Sequence, residues 1–221
     1  LKVNSGLLII AGAYNSGKTT TAVSLIEEIN KTSAKNIITI EDPIECLFVS
    51  KKSLITQRQV ASDIKTVVDG LDYCLNEDVD VIYLNEIKDE DIFNQAMVKI
   101  FELASGNCLV VLEINTDSSV RVLEKVLAGV GKKMTSEAAR YNLADILVGI
   151  VVQKLASRRG GGLILANEIL LNNAAVKALI REGKIYQLES IMQTSKKEGM
   201  ITLEKSLANL VEAGEIRRED I

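Results

Sequence analysis

Gly12-Ala13-Tyr14-Asn15-Ser16-Gly17-Lys18-Thr19 follows the apolar run Leu7-Leu8-Ile9-Ile10-Ala11 and opens a helical pattern from Thr19 to Asn30. Strand, G-x-x-x-x-G-K-[ST] loop and helix in that order form the phosphate loop of nucleotide-binding proteins. A triphosphate is held there by backbone N–H groups curled into a nest, by helix-terminal amides and by one lysine. Gly12 and Gly17 let the main chain come close. Lys18 supplies a compact cation for the β- and γ-phosphates, and the Thr19 hydroxyl supplies a ligand for Mg²⁺, which keeps most of its own waters. Ala13, Tyr14, Asn15, Ser16 and Thr20 complete the nucleotide-binding stretch. Four fixed positions match by chance with a probability on the order of one per cent in a chain of this size, and the flanking elements lower it. A nucleoside triphosphate carried with Mg²⁺ is the expected ligand.

Working outward, Asn36 to Ile40, Val79 to Leu84 and Cys108 to Ile114 are further short apolar runs, strands by length and composition. Helical patterns at Ser62 to Leu75 and Asp89 to Leu103 lie between them. Strands alternating with helices predict a doubly wound α/β fold with a mainly parallel sheet and right-handed crossovers. After Ser118 helical patterns dominate (Val120 to Leu127, Ser136 to Val148, Ala174 to Arg181, Thr202 to Val211), with one strand pair expected around Gly149 to Leu171. Arg158 to Gly162 reads as a mobile hairpin loop, and Gly214 suits a helix end.

The chain has 221 residues, a net charge of −4, three cysteines and no histidine. An acidic balance disfavours a general nucleic-acid surface. No apolar run approaches the ~20 residues that span a bilayer, so a cytoplasmic protein is expected. Cys46, Cys74 and Cys108 form no C-x-x-C pair and read as reduced core thiols. With no imidazole, any general base is a carboxylate.

In open α/β sheets the ligand lies beyond the carboxyl ends of the strands. Three polar groups sit there: Glu41-Asp42-Pro43-Ile44-Glu45, Asn85-Glu86 and Asn115-Thr116-Asp117. Glu86, ending an apolar strand, suits a Walker-B-type acid of the Mg²⁺ shell, so Thr19 and Glu86 are the metal candidates. Glu45 is the candidate for orienting an attacking water because Pro43 stiffens its loop; Glu41 and Asp42 are local rivals that spacing does not rank. Arg58, Lys88 and Asn115 are candidate phosphate contacts.

These stretches resemble the ATPase domain of the PilT-like twitching-motility proteins, the retraction motors of type IV pili within the type II/IV secretion ATPase family. The likeness rests on the phosphate loop, on Ile37 to Glu45, on Lys51 to Arg58 and on Asn172 to Glu182 with Gln193 to Met200. The resemblance implies a RecA-like core over residues 1–155, a mainly helical C-terminal subdomain over 156–221, ATP hydrolysis with Glu45 as general base and Glu86 in the Walker B role, and a hexameric ring. It also implies the inner-membrane pilus machinery as partner, with the protein peripheral at that membrane. The first residue is Leu1, so a fragment without the family's N-terminal PAS-like domain is expected. An extension or secretion motor, the neighbouring reading, usually carries a four-cysteine metal site that this chain lacks.

The chain departs from the family pattern in three stretches. Asn15 stands for a loop glycine, and asparagine tolerates positive φ best among the other residues. Gly-Glu-Met-Arg-Asp becomes Asn85-Glu86-Ile87-Lys88-Asp89, replacing a planar bidentate cation by a point charge. Leu-His-Thr-Asn becomes Ile114-Asn115-Thr116-Asp117. These changes predict retained nucleotide binding with slowed turnover, and they motivate an alternative: a nucleotide-binding regulatory paralogue with weak or no hydrolysis.

Overall fold

The computed structural model describes residues 3–131 and 133–220; Leu1, Lys2, Lys132 and Ile221 lie outside it. The N-terminal part runs β1 (Gly6–Gly12), α1 (Lys18–Thr32), β2 (Asn36–Glu41), β3 (Leu54–Gln59), α2 (Val67–Leu75), β4 (Val81–Leu84), α3 (Glu90–Ser105), β5 (Leu109–Ile114) and α4 (Ser119–Val130). It continues through α5 (Ser136–Ile146), β6 (Leu147–Ser157), β7 (Leu163–Leu171), α6 (Ala174–Glu182), α7 (Leu188–Thr194) and α8 (Leu203–Glu212). One seven-stranded sheet has the order β3-β2-β4-β5-β1-β6-β7. Every pair is parallel except β6–β7. This is the mainly parallel α/β sheet that the alternation of runs predicts.

Side-chain alternation sorts the sheet into two faces. Leu7, Ile9, Ile38, Ile40, Ile82, Leu84, Val110 and Leu112 join a core with residues of α2 to α7, such as Leu71, Phe93, Met97, Val122, Leu143 and Ile180. Leu8, Ile10, Ile37, Val81, Tyr83, Leu109 and Val111 face the other way, onto Ala22 and Ile26 of α1. Continued to the strand ends, that second face carries Thr39, Glu41, Tyr83 and Glu113, all at most 3 % exposed. The polar ends of the sheet and the start of α1 are thereby brought together.

Several element readings are corrected. The stretch around Arg58 is an edge strand: β3 pairs only with β2, in the register Ile40↔Arg58 and Glu41↔Gln59. Its Thr56-Gln57-Arg58-Gln59 lacks an apolar run because one edge meets solvent. The second helix starts at Val67, not Ser62, since Thr66 closes a reciprocal capping box with Asp69. The helical pattern from Ser136 ends at Ile146, and Leu147 and Val148 belong to β6. Residue 155 lies inside β6, whose partner β7 comes from the stretch read as the C-terminal subdomain. Arg158 to Gly162 is a hairpin, but a pinned one: Arg158 pairs with Glu215 at 2.7 Å, and Arg159 N–H donates to the Glu215 carbonyl. Cys74 and Cys108 are buried, while Cys46 is exposed and is not a core thiol.

Candidate functional site

Six of the longer helices, α2 to α6 and α8, begin with a side-chain cap from Thr66, Asp89, Ser118, Thr135, Asn173 or Thr202. The first helix does not. It begins after Gly17 with no side-chain cap and no acid in its first turn. Its orphan N–H groups and dipole therefore favour an anion supplied from outside. The loop that delivers the chain to this end needs its particular residues. Gly17 has φ +87° and Asn15 has φ +60°, so the substituted asparagine does adopt the left-handed conformation. At Gly12 a Cβ atom would stand 2.2 Å from Ser16 Oγ and 2.5 Å from the Gln153 carbonyl, a place only glycine can occupy. Gln153, opposite Gly12 on β6, donates to Thr21 Oγ1 at 2.7 Å and ties the sheet to the first turn of α1.

Lys18 is 6 % exposed. Its Nζ donates to the carbonyls of Gly12 and Ala13, both at 3.0 Å, and lies 3.8 Å from Glu86 Oε2. The ammonium is thus held at the mouth of the loop. A cavity of about 580 Å³ opens beside it, lined among others by Tyr14, Lys18, Thr19, Asp42, Glu45 and Glu86. Lys88, Asn85 and Glu113 also border it. A larger cavity of about 880 Å³ lies between Met192 and Asn209, away from the phosphate loop. Converging charge, not size, marks the first as the candidate site.

The loop carrying Glu45 is fixed from both sides. Asn85 Oδ1 accepts from the Asp42 N–H at 3.0 Å and its amide donates to the Pro43 carbonyl at 3.3 Å. The Gln59 side chain accepts from the Ile44 N–H, and Gln57 both donates to the Cys46 carbonyl and accepts from the Phe48 N–H. Farther on, Asn30 at the end of α1 donates to the Val49 carbonyl and accepts from the Lys51 N–H. Glu45 is exposed but sits on a backbone held immediately before and after it. Of its rivals, Glu41 is fully buried, accepting from Thr39 Oγ1 at 2.6 Å and from Gln57 at 3.2 Å, with its second oxygen lacking a hydrogen-bond partner among the described residues. Asp42 borders the cavity.

Gly17, Lys18, Thr19, Thr20, Tyr14, Asn15, Ser16, Glu45, Glu86 and Lys88 converge on one cavity. Arg58 and Asn115 do not border it. Arg58 stacks over the ring of Tyr73, 5.9 Å from the centroid. Asn115 is exposed just past β5.

Glu113 borders the cavity, with Tyr83 buried behind it; neither is among the candidates read from the sequence. Glu113 Oε2 accepts from Thr19 Oγ1 at 3.2 Å, and its Oε1 accepts from the Tyr83 hydroxyl at 2.6 Å. Burial raises the Glu113 carboxyl above its ordinary value, against the two donors. Burial, with Glu113 beside it, also raises the Tyr83 phenol, so the phenol remains a donor. The signal was a single acid inside the apolar run Cys108 to Ile114, since a buried carboxylate is kept only where it is satisfied or used.

Hard oxygen donors, the Thr19 hydroxyl and the Glu86 carboxylate, suit Mg²⁺ brought by a nucleotide. The buried Ser16 Oγ in the loop has no hydrogen-bond partner among the described residues, so it too has a lone pair or proton to offer a ligand. Among the described residues no three His, Cys, Asp or Glu side chains form a metal cage.

The type II/IV secretion system protein family matches residues 1–161. A twitching motility protein of Neisseria gonorrhoeae is 35 % identical over 215 residues, covering 97 % of this chain and 56 % of that protein. The type IV pilus retractation ATPase PilT of Pseudomonas aeruginosa is 34 % identical over 218 residues, 99 % of this chain and 62 % of that one. A crystal structure of the pilus retraction motor PilT with bound ADP superposes with a TM-score of 0.89 at 36 % identity, covering 98 % of this chain and 60 % of that one. The chain thus spans about three fifths of the length of these relatives. With the family matched over most of its residues and relatives above 30 % identity along nearly all of them, the chain belongs to the type II/IV secretion system protein family.

Proposed function

We propose that this chain binds MgATP at the Gly12–Thr20 loop and hydrolyses it to drive type IV pilus retraction, as one subunit of a hexameric ring working on the cytoplasmic side of the inner-membrane pilus machinery. The observation that carries the reading is the uncapped start of α1 with the Lys18 ammonium at its mouth and Glu45 and Glu86 bordering the same cavity. Loop and α1 N–H groups grip the phosphates, and Lys18 leaves its two carbonyl acceptors for phosphate oxygens. Glu45, on its pinned loop, orients the attacking water and takes its proton. Thr19 and Glu86 supply oxygens to the metal shell. Held by these two residues together with the nucleotide, Mg²⁺ would supply neutralisation of phosphate charge. Most of the barrier reduction comes from positioning and charge, so a ring neighbour that adds a cation completes the site.

Lys88 and Asn115 favour a second reading, a subunit that binds nucleotide, hydrolyses it poorly and modulates an intact motor. Phosphate release measured against protein concentration separates the two. The motor reading expects a rate per chain that rises with assembly and is abolished in Lys18→Ala. Equal, background-level release by wild type and Lys18→Ala, with nucleotide bound only by wild type, selects the regulator.

A further inference from the structure

Beyond the residues that touch nucleotide and metal, and resting on the reading that the Gly12–Thr20 loop binds MgATP, we propose that Glu113, held by Tyr83, is a positioning residue that turns the Thr19 hydroxyl into a preset metal ligand.

A threonine hydroxyl carries one proton and two lone pairs, and rotates freely unless something claims the proton. Ligation of a cation uses a lone pair, so a hydroxyl whose proton points into the site must first turn. Here the proton is claimed from behind: Thr19 Oγ1 donates to Glu113 Oε2. Glu113 is itself fixed, because its other oxygen accepts from Tyr83, which is fully buried between the sheet and α1. The chain Tyr83–Glu113–Thr19 runs from the core to the cavity, and each member donates toward the carboxylate. An outer carboxylate that accepts from a metal ligand both orients that ligand and makes it a better donor.

The geometry also explains why a carboxylate is needed rather than any polar group. A glutamine offers one oxygen and one NH₂. With its oxygen kept on Tyr83, its NH₂ faces Thr19 Oγ1 and donates to one of its two lone pairs, so the hydroxyl proton loses its acceptor and competes with the metal for the cavity side of the oxygen.

The test is a titration with a fluorescent, non-hydrolysable ATP analogue, first in EDTA and then with Mg²⁺ added stepwise, on wild type, Glu113→Gln and Tyr83→Phe. Nucleotide affinity in EDTA is expected not to fall in either variant, since the loop amides and Lys18 stay in place and Glu113→Gln only removes a negative charge near the phosphates. The Mg²⁺ concentration for half-saturation rises by roughly tenfold in Glu113→Gln, the lower range for loss of an outer partner. It rises by less in Tyr83→Phe, where the carboxylate stays but is free to turn. An unchanged Mg²⁺ half-saturation in Glu113→Gln with intact metal-free binding overturns the proposal. If Glu113→Gln also loses metal-free binding, Tyr83→Phe decides: a raised Mg²⁺ requirement supports the relay and an unchanged one overturns it. An analogue that fails to bind wild type under either condition removes the proposed function itself, a result distinct from loss of the metal response alone.

Discussion

Asn85→Ala removes the side chain that joins the end of β4 to the loop bearing Glu45. Two hydrogen bonds go, from the Asp42 N–H at 3.0 Å and to the Pro43 carbonyl at 3.3 Å. Each is worth about 0.5–1.5 kcal/mol net. Asp42 and Pro43 are exposed residues, which limits the penalty for the freed backbone groups. Asn85 itself is only 8 % exposed, so a small cavity is left in its place. The loss of stability is about 1–3 kcal/mol, which lowers the melting temperature by about 2–4 °C per kcal/mol for a chain of this length. The catalytic effect is larger than the thermodynamic one. Glu45 follows Pro43 by two residues, and a misplacement on the order of 1 Å costs up to about 100-fold in rate. Steady-state phosphate release against ATP concentration is expected to show kcat down by roughly 10- to 100-fold with KM little changed, because Lys18 and the loop amides stay in place. Asn85→Asp keeps the acceptor for Asp42 and loses the donor to Pro43, and is expected to fall between. A variant with wild-type kcat and melting temperature refutes the idea that this amide positions the loop.

Gly12→Ala sets a methyl group against Ser16 Oγ and the Gln153 carbonyl; the backbone oxygen cannot yield, so urea unfolding is expected to show a loss of about 3 kcal/mol, combining overpacking with left-handed strain. Lys88→Arg together with Asn115→His is expected to raise turnover by roughly tenfold, about 1.4 kcal/mol of transition-state stabilisation, with Lys88→Arg carrying most of it because only Lys88 borders the cavity; a double variant no faster than wild type counts against slowed turnover. Iodoacetamide at pH 8 is expected to label one thiol per native chain: Cys46 is exposed, while burial pushes Cys74 and Cys108 up to about 12 and shields both. All three react in denaturant, and early labelling of Cys74 or Cys108 in native protein contradicts the packing.

The phosphate loop, the four central strands and the helices between them were legible because each follows a rule local in sequence: apolar runs flanked by turn residues, and a spacing that only a phosphate site requires. Asn15 was read correctly for the same reason, its positive φ being a property of the residue type. What stayed hidden depends on partners far along the chain. β3 is polar and is a strand only because β2 offers it an edge. Asn85 looked like a substituted glycine, and its role appears only when β4 and the loop after β2 lie side by side. Glu113 was passed over within an apolar strand, since its partners Tyr83 and Thr19 are 30 and 94 residues away. Arg58 was a candidate phosphate contact on charge alone, and the fold turns it toward Tyr73.

The central claim is that the loop before α1, with Lys18, grips the phosphates of MgATP. Calorimetric titration of folded wild type and Lys18→Ala with a non-hydrolysable Mg·ATP analogue tests it. Saturable binding to wild type is expected, weakened at least about 100-fold in Lys18→Ala, since two charge-assisted hydrogen bonds of about 1.5–3 kcal/mol each are lost. No saturable heat from wild type, or equal affinity in the two proteins, contradicts it.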